Sequence, residues 1–457
     1  MIDKNIRKEL EKSLGKEKVF TEKEYLIAYS YDATGHEGLP DLVVLPESEK
    51  DIENTLKIAY RHKIPITPRG AGVGYSGGSI PLYGGIALVF TRMNKILTID
   101  TDNFFVEVEP GVVTHFLQRE VEKIGLFYPP DPASLKTSTI GGNVAENAGG
   151  MRCYKYGVTG NYVLGLEAFL VNGEKIKTGA HVLKNVAGYD IKSLLIGSEG
   201  TLAVISRIIL RLLPLPPYQR LFRVDFNGLK KAAEFINQVI NANIGPSVLE
   251  FMDRSSLAAV YQYLELPLND TIYASALIEI DGNPADVEER KKRILQLVKS
   301  SDAIDFKASE TEAEREELWN TRRNLSPAIA KLKPKKVNED IVVPVGKIPE
   351  TVEFINQLGQ EYHLLIPLFG HIGDGNIHTN LMVDPNDPEE MKRVEIVLDK
   401  IFRYVISVKG SISGEHGIGI TKKSFMKYQF TDVEMELFRN IKKVFDPENL
   451  LNPGKIF

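Results

Sequence analysis

The stretch Pro68-Arg69-Gly70-Ala71-Gly72-Val73-Gly74-Tyr75-Ser76-Gly77-Gly78 decides how the first half of this chain folds. It contains Gly72-x-Gly74-x-x-Gly77, a formal match to the fingerprint of dinucleotide-binding βαβ units. That fingerprint needs a helix directly after the glycines, so that the helix N-terminus meets a pyrophosphate. Here Ser79-Ile80-Pro81 leads instead to Gly84-Gly85-Ile86-Ala87-Leu88-Val89-Phe90, a turn followed by a strand. The doubly wound reading is therefore rejected. What survives is a run of backbone N–H groups, unobstructed by side chains and flanked by Arg69, suited to wrapping phosphate oxygens as an anion nest.

Outward from this loop, a strand is expected at 42–45, then a helix with Ser48 as N-cap and Asp51 three residues on, then a strand at 64–67. Further strands at 96–101 and 104–108 and a helix over 113–124 follow. Pro129-Pro130-Asp131-Pro132 then opens a second unusual segment, Thr137-Ser138-Thr139-Ile140-Gly141-Gly142-Asn143-Val144-Ala145-Glu146-Asn147-Ala148-Gly149-Gly150. Its residues are nearly all small or amide-bearing. They cannot fill a core, so they imply close approach of backbone to something else. Arg152-Cys153-Tyr154-Lys155-Tyr156-Gly157 closes it, and Gly197-Ser198-Glu199-Gly200-Thr201-Leu202 forms a third glycine loop before an apolar strand at 202–213. Three such loops within residues 1–215 imply a large, polar, phosphate-bearing ligand.

The second half carries a different chemistry. In Phe369-Gly370-His371-Ile372-Gly373-Asp374-Gly375-Asn376-Ile377-His378-Thr379-Asn380, apolar runs flank Asp-Gly, the strongest short hairpin signal. With Asp374 and Gly375 as a two-residue loop, residue 371 pairs with 378, and the two imidazoles face each other with Cβ atoms roughly 4.5 to 5.5 Å apart. Asn380 falls on the same face. Gly414-Glu415-His416-Gly417 follows some distance on. His371, His378 and Glu415 form the ligand pattern of a catalytic zinc-type site, suited to zinc, manganese or ferrous iron. A hydrogen-bonded structural pair of histidines is equally compatible with the spacing alone.

Net charge is −5 over 457 residues with mixed signs, which gives no footprint for nucleic acid. The single cysteine, Cys153, excludes an internal disulfide and a four-cysteine iron–sulfur cluster. The charged N-terminus has no secretory core, and no apolar run approaches a membrane span of about 18 to 20 residues, so a cytoplasmic location is expected. Strand, helix, strand units recur at 221–225, 229–241 and 248–252, then at 271–279, 284–300 and 304–307, which indicates α+β with an antiparallel sheet. A helix from Glu389 is supported by Val394, Val397, Leu398, Ile401, Phe402 and Val405 at helical spacing. Expected domains are 1–215, whose first 37 residues form an N-terminal helical segment, 216–428, and a segment 429–457 that returns to the first domain.

Pro-Arg-Gly-Ala-Gly at 68–72, Ile-Gly-Gly-Asn-Val-x-x-Asn-Ala-Gly-Gly at 140–150 and Gly-Ser-Glu-Gly-Thr-Leu at 197–202 resemble the flavin-binding domain of the vanillyl-alcohol oxidase superfamily. Gly370-His371, Asp374-Gly375-Asn376 and Gly414-Glu415-His416-Gly417 resemble the C-terminal domain of its flavin-linked D-2-hydroxyacid dehydrogenase branch, which includes D-lactate dehydrogenases, D-2-hydroxyglutarate dehydrogenases and the large subunit of bacterial glycolate oxidase. The resemblance implies a two-subdomain FAD-binding domain and an α+β cap domain. It places FAD against Pro68, Arg69, Gly70, Ala71, Gly72, Val73, Gly74, Tyr75 and Ser76, then Pro130, Asp131, Thr137, Ser138, Gly141, Gly142, Asn143, Asn147, Gly149 and Gly150. Tyr156, Gly157, Glu199, Gly200, Ile205 and Asn452 complete that set. Covalent members carry a histidine in the first loop where this chain has Val73, so FAD is expected to be held non-covalently.

Oxidation of a 2-hydroxy acid needs a hydride acceptor, a base and a grip on the carboxylate. By resemblance these are flavin, His416 and the Arg322 of Trp-x-x-Arg, with Asn380 adding a hydrogen bond and the divalent metal orienting the substrate. Hydroxyglutarate-type relatives place a lysine before the strand that here reads Asn338-Glu339-Asp340-Ile341-Val342-Val343-Pro344; D-lactate or glycolate is preferred here, with D-2-hydroxyglutarate as the alternative. The branch passes electrons to acceptors other than oxygen, so an electron-transfer flavoprotein or an iron–sulfur subunit is an expected partner. A homo-oligomer is compatible with the sequence. A non-catalytic FAD electron-transfer or assembly subunit and a metal-dependent hydrolase are the rival classes.

Overall fold

No helix follows the glycine run. In the computed structural model, which describes residues 2–457, the strand Ile66–Arg69 enters the run and the strand Ile86–Val89 leaves it, and the two pair in parallel. Leu42–Val44 lies parallel on the other side of Ile86–Val89, and Val19–Phe20 adds an antiparallel edge. Every residue of Leu42–Val44 and Ile86–Val89 is buried, as parallel strands covered on both faces require. The helix Glu49–Arg61 begins where expected, with Ser48 Oγ accepting from Asp51 N at 3.2 Å. Its Ile52 and Leu56 pack with Leu10 and Leu14 of the first helix, Lys4–Leu14, and with Leu88 and Leu451.

The chain divides into two compact units. The first comprises residues up to Gly149, Val158–Leu215 and Glu415–Phe457. Beside the parallel sheet it holds a five-stranded antiparallel sheet in the order Ile96–Asp100, Phe105–Val108, Val204–Arg211, Val163–Phe169, Lys175–Gly179. The chain's end returns to the first sheet: Ile66 N donates to Leu450 O and Asn452 N to Ile66 O, each at 2.7 Å.

The second unit comprises Gly150–Gly157 and Pro216–Gly414. Its seven strands run in the order Ala303–Ala308, Tyr218–Phe226, Ala274–Gly282, Val248–Asp253, Leu368–Gly370, Asn376–Val383, Lys335–Val342, all antiparallel. The strand, helix, strand units are present, with helices Leu229–Asn241 and Pro284–Ser300 between their strands. Helix Pro388–Ser407 carries the expected apolar face, all six of its periodic residues being buried.

Three expectations are corrected. The expected boundary at 428 lies at 414, because the loop from Glu415 is bonded into the first unit through Ile418 and Gly419 N–H groups to Glu199. Residues 150–157, expected in the first domain, pack with the second: Lys155 pairs with Asp281, Tyr156 Oη donates to Asp281 Oδ2 at 2.6 Å, and Tyr154 lies against Gly373. The Asp-Gly turn is not a two-residue loop. Ile372–Asp374 forms a single helical turn, Gly375 adopts φ 85°, and Phe369, not His371, is the register partner of His378. A two-residue shift preserves side-chain parity, so it does not send His378 to the other face.

Candidate active site

The glycine loops of the first unit line one cleft. Of the expected flavin contacts, the run Pro68–Ser76 lines it, as do Ser138, Gly141, Gly142, Asn143, Gly149, Glu199, Gly200 and Ile205, together with Glu415 and His416. The glycines are there for two separate reasons. A Cβ on Gly70 would stand 2.3 Å from Thr139 Oγ1, and one on Gly72, at φ 70°, would stand 2.0 Å from Arg69 Nη2, so these two let chain segments touch. A Cβ on Gly74 would meet nothing within 4 Å, so this position leaves the cleft open. A bare backbone wall along a cleft suits the close approach of a phosphate-bearing dinucleotide.

Arg69 itself serves the fold. Its guanidinium donates to Tyr31 O at 2.8 Å and Ser79 Oγ at 3.1 Å beneath the Gly72 turn, so the loop's offer to an anion is its backbone. Other expected contacts lie off the cleft and have local work. Gln118 Nε2 donates to Pro130 O, and Asp131 is buried beside it. Thr137 donates to Ser134 O, and Asn147 ends helix Ile140–Glu146 in the left-handed region while accepting from Gly160 N. Asn452 Nδ2 donates to Gly78 O and Glu199 O, each at 2.7 Å, tying the first glycine loop to the third. Gly150, Tyr156 and Gly157 belong to the second unit.

The loop carrying Glu415 and His416 is held from beneath. Glu199 Oε1 accepts from Ile418 N at 2.8 Å and Oε2 from Gly419 N at 2.7 Å. Gly417, at φ 84°, has no room for a side chain: a Cβ would stand 2.5 Å from Glu146 Oε2 and 2.9 Å from Glu199 Oε1. Complete burial pushes the Glu199 carboxyl up to about 7, although the two backbone N–H groups and the Lys455 and Lys422 charges oppose that shift. Above this loop the Tyr75 and His416 rings stack at 5.1 Å with 29° between planes.

The second unit holds the histidine pair. His371 Nε2 and His378 Nε2 are 3.4 Å apart, with rings at 89°. Two nitrogens that each sit about 2.0 to 2.1 Å from a tetrahedral cation are separated by about 3.3 to 3.4 Å, so the pair fits a shared metal. Behind it stands a residue the sequence reading missed. Glu250 is wholly buried; its Oε1 lies 2.5 Å from His371 Nδ1 and its Oε2 accepts from Arg322 Nε at 2.5 Å. A carboxylate on Nδ1 orients the ring and leaves Nε2 as the lone-pair face, the usual support of a metal-binding histidine. The signal was in Ser247-Val248-Leu249-Glu250-Phe251-Met252, because a carboxylate inside an apolar strand needs a partner.

Arg322 lies on helix Glu312–Arg323 one turn from Trp319, both buried, with its guanidinium 4.8 Å from the Phe369 ring centroid. Glu250 occupies Nε, and the two terminal nitrogens have no partner among the described residues. Asn380 Nδ2 donates to Pro367 O and His378 O, while its buried Oδ1 has no partner among the described residues. Across the strands, Asn338 pairs in register with Asn380 and also has a buried, unpaired Oδ1. Asp340, the register partner of His378, accepts from Gly414 N at 2.8 Å and from Ser413 Oγ at 3.2 Å. Glu415 follows Gly414 directly in the chain.

Residues 215–456 match a family model described as FAD linked oxidases, C-terminal domain, and residues 40–179 match one described as FAD binding domain. The chain is 40% identical to glycolate oxidase subunit GlcD of Bacillus subtilis (strain 168), over 100% of this chain and 97% of that protein. It is 36% identical to D-lactate dehydrogenase of Anaerostipes hadrus, over 91% and 89%. Among solved structures, p-cresol methylhydroxylase with substrate bound superposes with a TM-score of 0.84 at 17% identity, over 99% of this chain and 96% of that one, a likeness of fold alone.

Proposed function

The chain belongs to the FAD-linked oxidases, and from that premise we propose that it oxidises a small D-2-hydroxy acid, D-lactate or glycolate, to the 2-oxo acid. FAD, bound non-covalently in the cleft beside Val73, supplies the acceptor for the hydride leaving Cα. His371, His378 and Glu415 would hold a divalent cation, whose contribution is Lewis-acid polarisation of the substrate oxygens.

The chain's own residues do the rest. Arg322 presents its two terminal nitrogens as a fork for the substrate carboxylate, while Glu250 fixes the guanidinium from behind through Nε. Asn380 Oδ1, buried without a donor, is a site for the substrate hydroxyl or for an ordered water. His416 takes the hydroxyl proton at Nε2, the nitrogen 3.9 Å from Glu415 Oε1, in the manner of a general base. Tyr75 and the Glu199-held loop keep that imidazole in place.

Electrons then pass to a partner protein, an electron-transfer flavoprotein or an iron–sulfur subunit. Relatives named as subunits support a multi-subunit setting, and Cys153 alone holds no cluster. Among the described residues no helix is long and apolar enough to cross a membrane.

The observation that carries this reading is the Glu250, His371, His378 arrangement in a chain of this family. Anaerobic mixing of the flavin-loaded protein with D-lactate, glycolate, D-2-hydroxyglutarate and the L-enantiomers tests it. Bleaching of the flavin by D-lactate or glycolate is expected, and its loss in His378→Ala together with bound metal. No bleaching by any 2-hydroxy acid would sink the proposal.

A further inference from the structure

The C-terminal helix Asp432–Phe445 has two apolar sides, and only one is used by the fold. Its inner side carries Met435, Phe438, Lys442 and Phe445, all buried or half-buried. Lys442 anchors it there, donating to Thr201 O at 2.7 Å and Leu451 O at 2.8 Å. The opposite side carries Val433, Leu437, Asn440 and Val444. Val433 is 76% exposed, Leu437 56% and Val444 81%. The spacing of four, three and four residues is the a/d seam of a helix pair, about 150° around the helix from the inner face. A stripe of that kind contributes nothing to the fold it points away from.

The charges beside the seam say what fits it. With Leu437 and Val444 as a positions, Glu436 and Lys443 both fall at g, on one edge of the stripe. Both are exposed, and neither has an ion-pair partner among the described residues. In an antiparallel pair of these helices g faces g, so Glu436 of each copy meets Lys443 of the other, twice over. The same centring sets Val433 against Val444 and Leu437 against Asn440. In a parallel pair g faces e, which would leave Glu436 against Ile441 and Lys443 against a position beyond the helix end.

We propose that this helix is a self-complementary docking surface through which two copies of the chain pair antiparallel about a two-fold axis. Fourteen residues span only about 21 Å, so the interface lies at the small end of specific contacts and the dimer dissociates in the micromolar range, at roughly 1 to 100 μM. The inference is independent of the catalytic proposal.

Sedimentation velocity of the flavin-loaded full chain, from about 1 to about 100 μM to bracket that range, is the test. The average mass should rise with concentration from 51.1 kDa toward twice that value. Glu436→Lys should weaken association about tenfold or more, and Glu436→Lys combined with Lys443→Glu should restore it, since the swap rebuilds both cross-copy pairs. Glu436 and Lys443 are both exposed, so these substitutions leave the core untouched. A wild-type chain that stays monomeric throughout overturns the proposal. So does a dimer that Glu436→Lys leaves unchanged, or one that the double swap fails to restore.

Discussion

Glu250 Oε1 stands 2.5 Å from His371 Nδ1 although 121 positions separate them in the chain. The carboxylate's other oxygen holds Arg322, so one wholly buried group orients both the imidazole and the guanidinium. Glu250→Gln should keep the fold, since an amide still bonds one neighbour, but lower divalent-metal affinity about 10- to 100-fold. Metal retained after dialysis against graded chelator is the measurement. Unchanged retention would remove Glu250 from the site's support.

Glu250→Gln and Glu250→Ala both strip the buried Arg322 of its counter-charge, but only Ala also removes the oxygen that accepts from Arg322 Nε. A buried donor left without an acceptor costs about 1 to 3 kcal/mol, so the urea midpoint of Glu250→Ala should fall below that of Glu250→Gln. Equal midpoints would mean that the Nε bond to residue 250 adds nothing to stability.

Arg322→Lys replaces a planar fork with a point charge. If Arg322 grips the substrate carboxylate, kcat/KM should fall by about 10²-fold or more, near the 2.7 kcal/mol typical of a charge-assisted contact, with flavin content unchanged. A variant that bleaches with wild-type kcat/KM would assign the carboxylate to another residue.

Glu199 holds Ile418 and Gly419, two and three residues beyond His416. If it acts by positioning that histidine, Glu199→Gln and His416→Ala should be strongly non-additive in the rate of flavin bleaching, with Glu199→Gln costing far less in the His416→Ala background. Simple additivity would make Glu199 a structural residue only. Flavin absorbance before mixing reports whether the cleft itself has been disturbed.

The same carboxyl gives a pH signature. Its folded value is raised from 4.5 to about 7, so its contribution is fully present below about 4.5 and is lost as pH rises through about 7. The shift corresponds to about 3 kcal/mol across that window. Urea midpoints of wild type should therefore decline from pH 5 to pH 8 relative to those of Glu199→Gln. Parallel pH profiles would show that Glu199 is ionised throughout.

What the sequence determined by itself is what local backbone chemistry decides. Glycines followed by a turn and a strand exclude the doubly wound βαβ unit, which needs a helix directly after them, and the structure has parallel strands on either side of that loop. Strand periodicity kept His378 on its predicted face despite a two-residue error in register, because side chains alternate with period two. Ser48 located its helix by capping a free N–H, and the spacing of Val394 to Val405 located another by its period of about 3.6. Only the tertiary structure decided which distant groups share a charge or a hydrogen bond. Arg69 donates to Tyr31 and Ser79, Glu250 reaches His371, and Glu199 reaches Ile418. Those partnerships rest on packing, where a buried polar group takes whichever partner the fold brings within about 3 Å, and no local pattern encodes that choice.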